Sequence, residues 1–216
     1  MYWNAFASAM ARYDELYRHG IPGHGELWEL VSDVRQSGNA LSEWCATRHF
    51  FQLWNREYVD ALAQVLRESG FRRILELGAG RGILARELRT RLEPTAEVCA
   101  VDDLAWCRDR PDRRALVPTW VLVMDYADAL RELAPDLVIL PLPPDTRDWT
   151  PLMRATDSVQ AYLMLGPGAA AAAAQPPSGW TARRLPQVER YSVCCLDYGL
   201  GRASKCALFE RCSLRS

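Results

Sequence analysis

The chain has 216 residues, 49% of them apolar and 25% charged, and its 26 basic residues nearly cancel its 27 acidic ones. That is enough chain for one domain with a modest extension, and the balance excludes general disorder, an acidic tail and a polyanion-binding surface. Every basic residue except Lys205 is arginine, and the pairs Arg72-Arg73, Arg113-Arg114 and Arg183-Arg184 are scattered and sign-mixed, as on solvated faces, so nucleic acid is not an expected partner.

The seven cysteines, Cys45, Cys99, Cys107, Cys194, Cys195, Cys206 and Cys212, contain no C-x-x-C spacing and accompany only three histidines. No metal site is expected from that set. Cys99 falls in a predicted strand and Cys194, Cys206 and Cys212 lie in or beside apolar runs, which favours buried, reduced thiols and a reducing compartment. No apolar stretch reaches membrane-spanning length. The N-terminus lacks a charged region ahead of its short apolar stretch, and Asp14 and Glu15 argue against a transit peptide. The expected location is the cytoplasm.

Residues 1–54 read as helices. Trp3, Phe6, Met10, Tyr13 and Tyr17 recur at helical spacing, and the glycine-rich turn from His19 to Gly25 ends that helix. Leu27, Leu30, Val31 and Val34 stripe a second helix, stopped by Ser37-Gly38-Asn39, and a third runs from Ser42 towards Trp54. The aromatic stripe is read as core packing. Residues 55–69 predict another helix, with Tyr58, Leu62, Val65 and Leu66 on its inner face.

Strands then alternate with helices, over 72–77, 97–101, 120–124, 137–140 and 159–165. This order predicts a parallel sheet with helices on both faces. Two more runs, 191–196 and 205–211, have no clear helix between them and are read as a terminal antiparallel hairpin. The low-complexity stretch Gly166-Pro167-Gly168, Ala169 to Ala174 and Gln175-Pro176-Pro177 combines good helix formers with tight punctuation, and is read as a mobile loop insertion. The expected organisation is a helical cap over 1–54 and an α/β, Rossmann-like domain over 55–216, with a doubly wound seven-stranded sheet.

The most informative run is Ile74-Leu75-Glu76-Leu77-Gly78-Ala79-Gly80-Arg81-Gly82-Ile83-Leu84. It reads as a buried strand, a glycine turn and a helix start. Glycine lets the backbone turn sharply and lets a ligand approach the amides, and the helix start presents unpaired N–H groups. Glu76 places a carboxylate where a cationic or hydroxyl-bearing ligand could be held. A dinucleotide fingerprint, G-x-G-x-x-G, would need its third glycine at position 83, where Ile83 stands. The second run, Ala96 to Val101, ends in Asp102-Asp103, roughly 20 residues past the glycines, where Rossmann-like sites bind ribose hydroxyls. Capping of the following turn is the alternative for either aspartate. The third run, Thr119 to Met124, leads into Asp125-Tyr126-Ala127-Asp128. The fourth, Asp136 to Leu140, is continuously apolar and bounded by prolines, as suits a central parallel strand.

Together these four segments resemble the class I S-adenosylmethionine (SAM) methyltransferases, whose first motif is acidic-x-Gly-x-Gly-x-Gly. The resemblance covers about residues 55–212. It implies SAM as cofactor, held by Glu76, Gly78, Ala79, Gly80, Gly82, Asp102, Asp103, Asp125, Tyr126 and Leu140. In that reading Asp102 takes the ribose and Asp103 caps. Asp125 lies near the adenine amino group with Tyr126 beside the ring, and Asp128 is the alternative to Asp125. The resemblance also implies N-terminal helices folded over the pocket, and transfer of a methyl group to a small-molecule or protein acceptor. A SAM-binding scaffold without turnover is the second possibility.

Enzymes of this kind that methylate exocyclic amines carry Asn/Asp-Pro-Pro-aromatic after strand four. Here Leu142-Pro143-Pro144-Asp145 lacks the polar head and the aromatic. The chain also resembles a group of uncharacterised eukaryotic proteins in its Asp148-Trp149-Thr150 segment. Candidates for acceptor contact are His19, His24, Asp145, Arg147, Trp149, Tyr2 and Trp3, each with a plainer reading as a turn, packing or surface residue.

Overall fold

The computed structural model describes residues 2–34, 40–48, 52–108, 111–141, 148–166, 168–194 and 204–212. Three helices come first, α1 (Tyr2–Leu16), α2 (His24–Val34) and α3 (Ala40–Arg48). The next, α4 (Arg56–Ser69), is bounded by side-chain and backbone chemistry. Asn55 is its N-cap, accepting from the Tyr58 amide, and Gly70 ends it with φ of 74°, the left-handed turn that glycine adopts without a Cβ penalty. Its buried face carries Tyr58, Leu62, Val65 and Leu66 as the sequence predicts, with Val59 and Ala63.

Seven strands form one sheet, β1 (Arg73–Leu77), β2 (Glu97–Asp102), β3 (Leu122–Val123), β4 (Leu137–Pro141), β5 (Ala161–Gly166), β6 (Trp180–Arg184) and β7 (Lys205–Arg211). They lie in the order β3-β2-β1-β4-β5-β7-β6. The first five are parallel, and β7 runs antiparallel to both β5 and β6. The helices α5 (Ile83–Leu92), α6 (Pro111–Arg114), α7 (Tyr126–Leu133), α8 (Thr150–Ala155), α9 (Ala169–Ala174) and α10 (Pro186–Glu189) fill the connections.

Strand side chains alternate between two cores. Ile74, Ala100, Ile139 and Leu163 face one, with α4, α5 and buried residues of α1 to α3, Tyr13 and Trp44 among them. Leu75, Leu77, Val138, Leu140 and Phe209 face the other, with Tyr126, Trp149, Met153 and Ala169. Buried residues of α1 to α3 therefore share a core with the sheet.

Four expectations are corrected. The hairpin is β6 with β7. Of the run 191–196 only 191–194 lie among the described residues, and there Cys194 forms an isolated bridge to Gln52. The alanine run is not a loop but a helix, with Ala169 buried and Ala172 and Ala173 packed on the core. Alanine's propensity prevails inside the Gly and Pro punctuation, which sets the ends of α9. The third strand is two residues, not five, because the Val121 amide is spent in a turn on the Pro118 carbonyl and Asp125 already caps the next helix. Cys212 is exposed, while Cys45, Cys107, Cys194 and Cys206 are buried, and Cys195 lies outside the described residues. No helix among the described residues is long and apolar enough to cross a membrane.

Candidate cofactor site

The strand order reverses between β1 and β4, and the turn that follows β1 sits at that switch. Open α/β sheets bind ligands beyond the carboxyl ends of the strands at this point. Three glycines build the turn, each left-handed, with φ of 71° at Gly78, 54° at Gly80 and 64° at Gly82. Their surroundings differ. A Cβ on Gly82 would lie 2.5 Å from the Trp120 ring and 2.7 Å from Val121, so this glycine permits close packing of turn and β3 connection. A Cβ on Gly78 would meet the Tyr126 hydroxyl at 3.2 Å, whereas one on Gly80 would meet nothing within 4 Å.

The turn is pinned to β2. The Ala79 amide donates to the Val101 carbonyl at 3.0 Å, and the Gly80 amide donates to Asp102 Oδ2 at 2.7 Å. The other Asp102 oxygen, Oδ1, accepts from the Leu104 amide at 2.7 Å and from the Trp106 indole at 3.0 Å. Asp102 is 2% exposed. Burial raises its pKa, the Gly80, Leu104 and Trp106 hydrogen bonds lower it, and the Asp103 charge raises it. Asp103 is exposed and spends Oδ1 on the Ala105 amide at 2.9 Å.

Glu76 faces the other way along α5. Gly82 offers α5 no side-chain cap, and Glu76 Oε2 supplies one from the strand, accepting from the Ala85 amide at 2.8 Å. Burial pushes its carboxyl up to about 8, partly offset by that amide and reinforced by the Asp102 charge. The Glu76 carboxyl thus caps α5 from β1, a role its place in the motif did not reveal.

On the opposite core face, Tyr126 packs edge-on against Trp149 with ring centroids 4.6 Å apart. Burial and the Asp102 and Asp103 charges raise its phenol pKa, and a hydrogen bond with the Asp103 backbone lowers it. The phenol oxygen lies beside Gly78, 3.2 Å from where a Cβ would stand. Asp125 caps α7, accepting from the Ala127 amide at 2.7 Å, and is exposed. Asp128 pairs with Arg131 at 2.6 Å on the surface. Leu140 is buried near the end of β4. The strand ends therefore bring together Glu76, Gly78, Ala79, Gly80, Asp102, Asp103 and Tyr126.

Of the acceptor candidates, Trp149 is buried against Tyr126, and His19 is exposed. His24 opens α2. Its amide donates to Glu57 Oε2 at 2.6 Å and its ring stacks with Trp28 and meets Tyr191 edge-on. Asp145 and Arg147 lie outside the described residues, as do the side chains of Tyr2 and Trp3 and the segment Leu142-Pro143-Pro144. Sequence reasoning missed Trp106, whose indole reaches Asp102. A tryptophan four residues after an acidic strand end is its only trace. No cluster of metal-ligating side chains occurs among the described residues.

A plain dinucleotide fold keeps all its strands parallel in the order 3-2-1-4-5-6, but here β7 is inserted antiparallel between β5 and β6. The fold is the class I methyltransferase fold.

No family model matches the chain, and no curated protein matches it. Similar solved structures include a SAM-dependent O-methyltransferase from Thermotoga maritima, 13% identical over 82% of this chain and 72% of that one, with a TM-score of 0.47. Another is the O-methyltransferase TomG from Streptomyces achromogenes, solved with SAM, 17% identical over 71% of this chain and 78% of that one, with a TM-score of 0.41. A third is the methyltransferase domain of bacterial CtHen1, 13% identical over 72% of this chain and 97% of that one, with a TM-score of 0.46. Likeness at this level concerns fold and not activity. None of it supports the narrower resemblance to uncharacterised eukaryotic proteins.

The turn fits an adenosyl cofactor on its own chemistry. Gly80 presents bare backbone, Asp103 is exposed just past β2, and Asp125 is exposed at the start of α7 just past β3.

Proposed function

We propose that the chain binds SAM at the turn after β1 and transfers its methyl group to a small-molecule or protein acceptor. The observation that carries the reading is Gly80. Its φ is 54° and nothing lies within 4 Å of where a Cβ would be, so the backbone is open to a ligand on that side. Gly78, Ala79 and Gly80 would approach the cofactor, Asp102 or Asp103 its ribose, and Asp125 and Tyr126 its base. Bound SAM supplies an activated methyl, and the chain's task is to hold acceptor and methyl in line. Positioning of this kind is worth roughly 7–11 kcal/mol.

Residues 1–54 serve as the cap on the acceptor side. The C-terminus of α4 leads directly into β1, so its N-terminus lies at the carboxyl edge of the sheet. There Arg56 donates its amide to the Pro22 carbonyl at 2.8 Å, and Glu57 holds the His24 amide. These contacts support the reading of the N-terminal helices as a cap on the acceptor side.

Incubation with SAM and a cell extract as acceptor source tests the reading. S-adenosylhomocysteine should accumulate with the wild type and not with Gly80→Val. Binding without accumulation would favour the scaffold alternative.

A further inference from the structure

The two aspartates that end β2 are built differently, and the difference reverses the roles their order in the motif implies. Asp102 is 2% exposed and has three donors on its two oxygens, the Gly80 and Leu104 amides and the Trp106 indole. These donors come from three places, the glycine turn, the backbone after β2 and the 3-10 turn Ala105–Cys107. Leu104 is held with φ of 55°, a conformation that costs a non-glycine residue free energy and persists where surrounding bonds impose it. Drawing Asp102 onto a ligand would strand some of these donors in a buried place, and an unsatisfied buried donor is costly. Asp103 is exposed and has one amide on Oδ1, which leaves Oδ2 to accept from outside.

Resting on the SAM reading above, we propose that Asp103 is the residue that accepts from the ribose hydroxyls. Asp102 and Trp106 are positioning residues that do not touch the ligand. They fix the Gly80 amide and the Leu104 turn, and so set the separation between the glycine turn and Asp103. Trp106 lies outside every motif of the sequence, and its indole donates to Asp102.

The test uses the full chain and two probes, S-adenosylhomocysteine and its 2′-deoxy analogue, titrated calorimetrically. A hydrogen bond to a charged group is worth about 1.5–3 kcal/mol, so the wild type should prefer the ribose form by roughly tenfold or more. Asp103→Asn should reduce that preference to within about threefold. Asp102→Asn and Trp106→Phe should weaken both probes by one common factor and keep the preference. A purely structural role would lower thermal stability and leave both affinities alone, which would overturn the positioning assignment. Loss of the preference in Asp102→Asn with its retention in Asp103→Asn would overturn the ribose assignment. If Asp102→Asn does not fold, Trp106→Phe with Asp103→Asn decides the same question. If the wild type binds neither probe, the SAM reading itself fails, and this assignment with it.

Discussion

Buried polar side chains gather at two places along the carboxyl edge of the sheet, and they are used in opposite ways. Over β5 and β7, Gln52 donates to the Ser192 hydroxyl at 3.1 Å and accepts from the Ser204 hydroxyl at 2.9 Å. Nearby, Glu189 pairs with Arg184 and accepts from the Cys206 amide, and Asn55 donates to the Tyr191 carbonyl at 2.8 Å. Side chain meets side chain or a neighbouring loop, and the group closes on itself. Over β1 and β2, Glu76 and Asp102 instead hold backbone amides of the turn and helix start, and the Gly80 surface they hold in place is left open. The first region joins the N-terminal segment to the C-terminal one. The second shapes a backbone surface for something else.

That contrast can be broken most severely at Gly82. Its Cβ would penetrate the Trp120 ring at a left-handed φ, so Gly82→Ala should cost about 2–4 kcal/mol by overpacking and backbone strain, read from the denaturant midpoint. Gly80→Ala meets no atom and should cost only about 1–2 kcal/mol, from φ alone. If the two glycines cost the same, the division between a packing glycine and a ligand glycine is wrong. Next comes Gln52→Ala, which leaves the Ser192 and Ser204 hydroxyls buried without their partner. About 1–3 kcal/mol of stability should go, with SAM affinity unchanged, since the weld takes no part in binding.

A smaller, pH-dependent effect belongs to Glu76. Burial lifts its carboxyl to about 8, above the unfolded value of about 4.3. The native state therefore holds this proton more tightly than the unfolded chain. The stability it lends is complete below the unfolded value and is lost as pH rises through the native one. Glu76→Gln keeps an acceptor for the Ala85 amide and removes the titration. Its melting temperature, relative to the wild type, should climb between pH 5 and pH 8, and a constant difference would show that Glu76 is ionised throughout. The smallest change is Asp125→Ala, which removes an exposed helix cap and should cost about 1 kcal/mol in thermal melts.

The legible parts of the sequence were those where local chemistry and tertiary role coincide. The β1 strand, its turn and α5 follow from an apolar run, glycines and helix formers in succession. Asn55 and Gly70 mark α4 at both ends. The sixth strand was illegible because it reads Trp180-Thr181-Ala182-Arg183-Arg184, an edge strand with one face turned to solvent. Only pairing with β7 makes it a strand, and that pairing spans more than twenty residues. The alanine helix is hidden by its Gly and Pro flanks, which mark only its ends, while alanine's propensity and packing on the core make it a helix. In the site, the motif marks the glycine turn but not which of its carboxyls are buried. Asp102 and Asp103 are adjacent and chemically identical, and only burial separates them.

The central claim, that the turn after β1 receives an adenosyl cofactor on its bare glycine surface, is tested most directly by calorimetric titration of the full chain with SAM and with NAD. One saturable SAM site, abolished by Gly80→Val in a protein that keeps its wild-type circular dichroism, is the predicted result. Binding of NAD by a chain that ignores SAM and S-adenosylhomocysteine would contradict it.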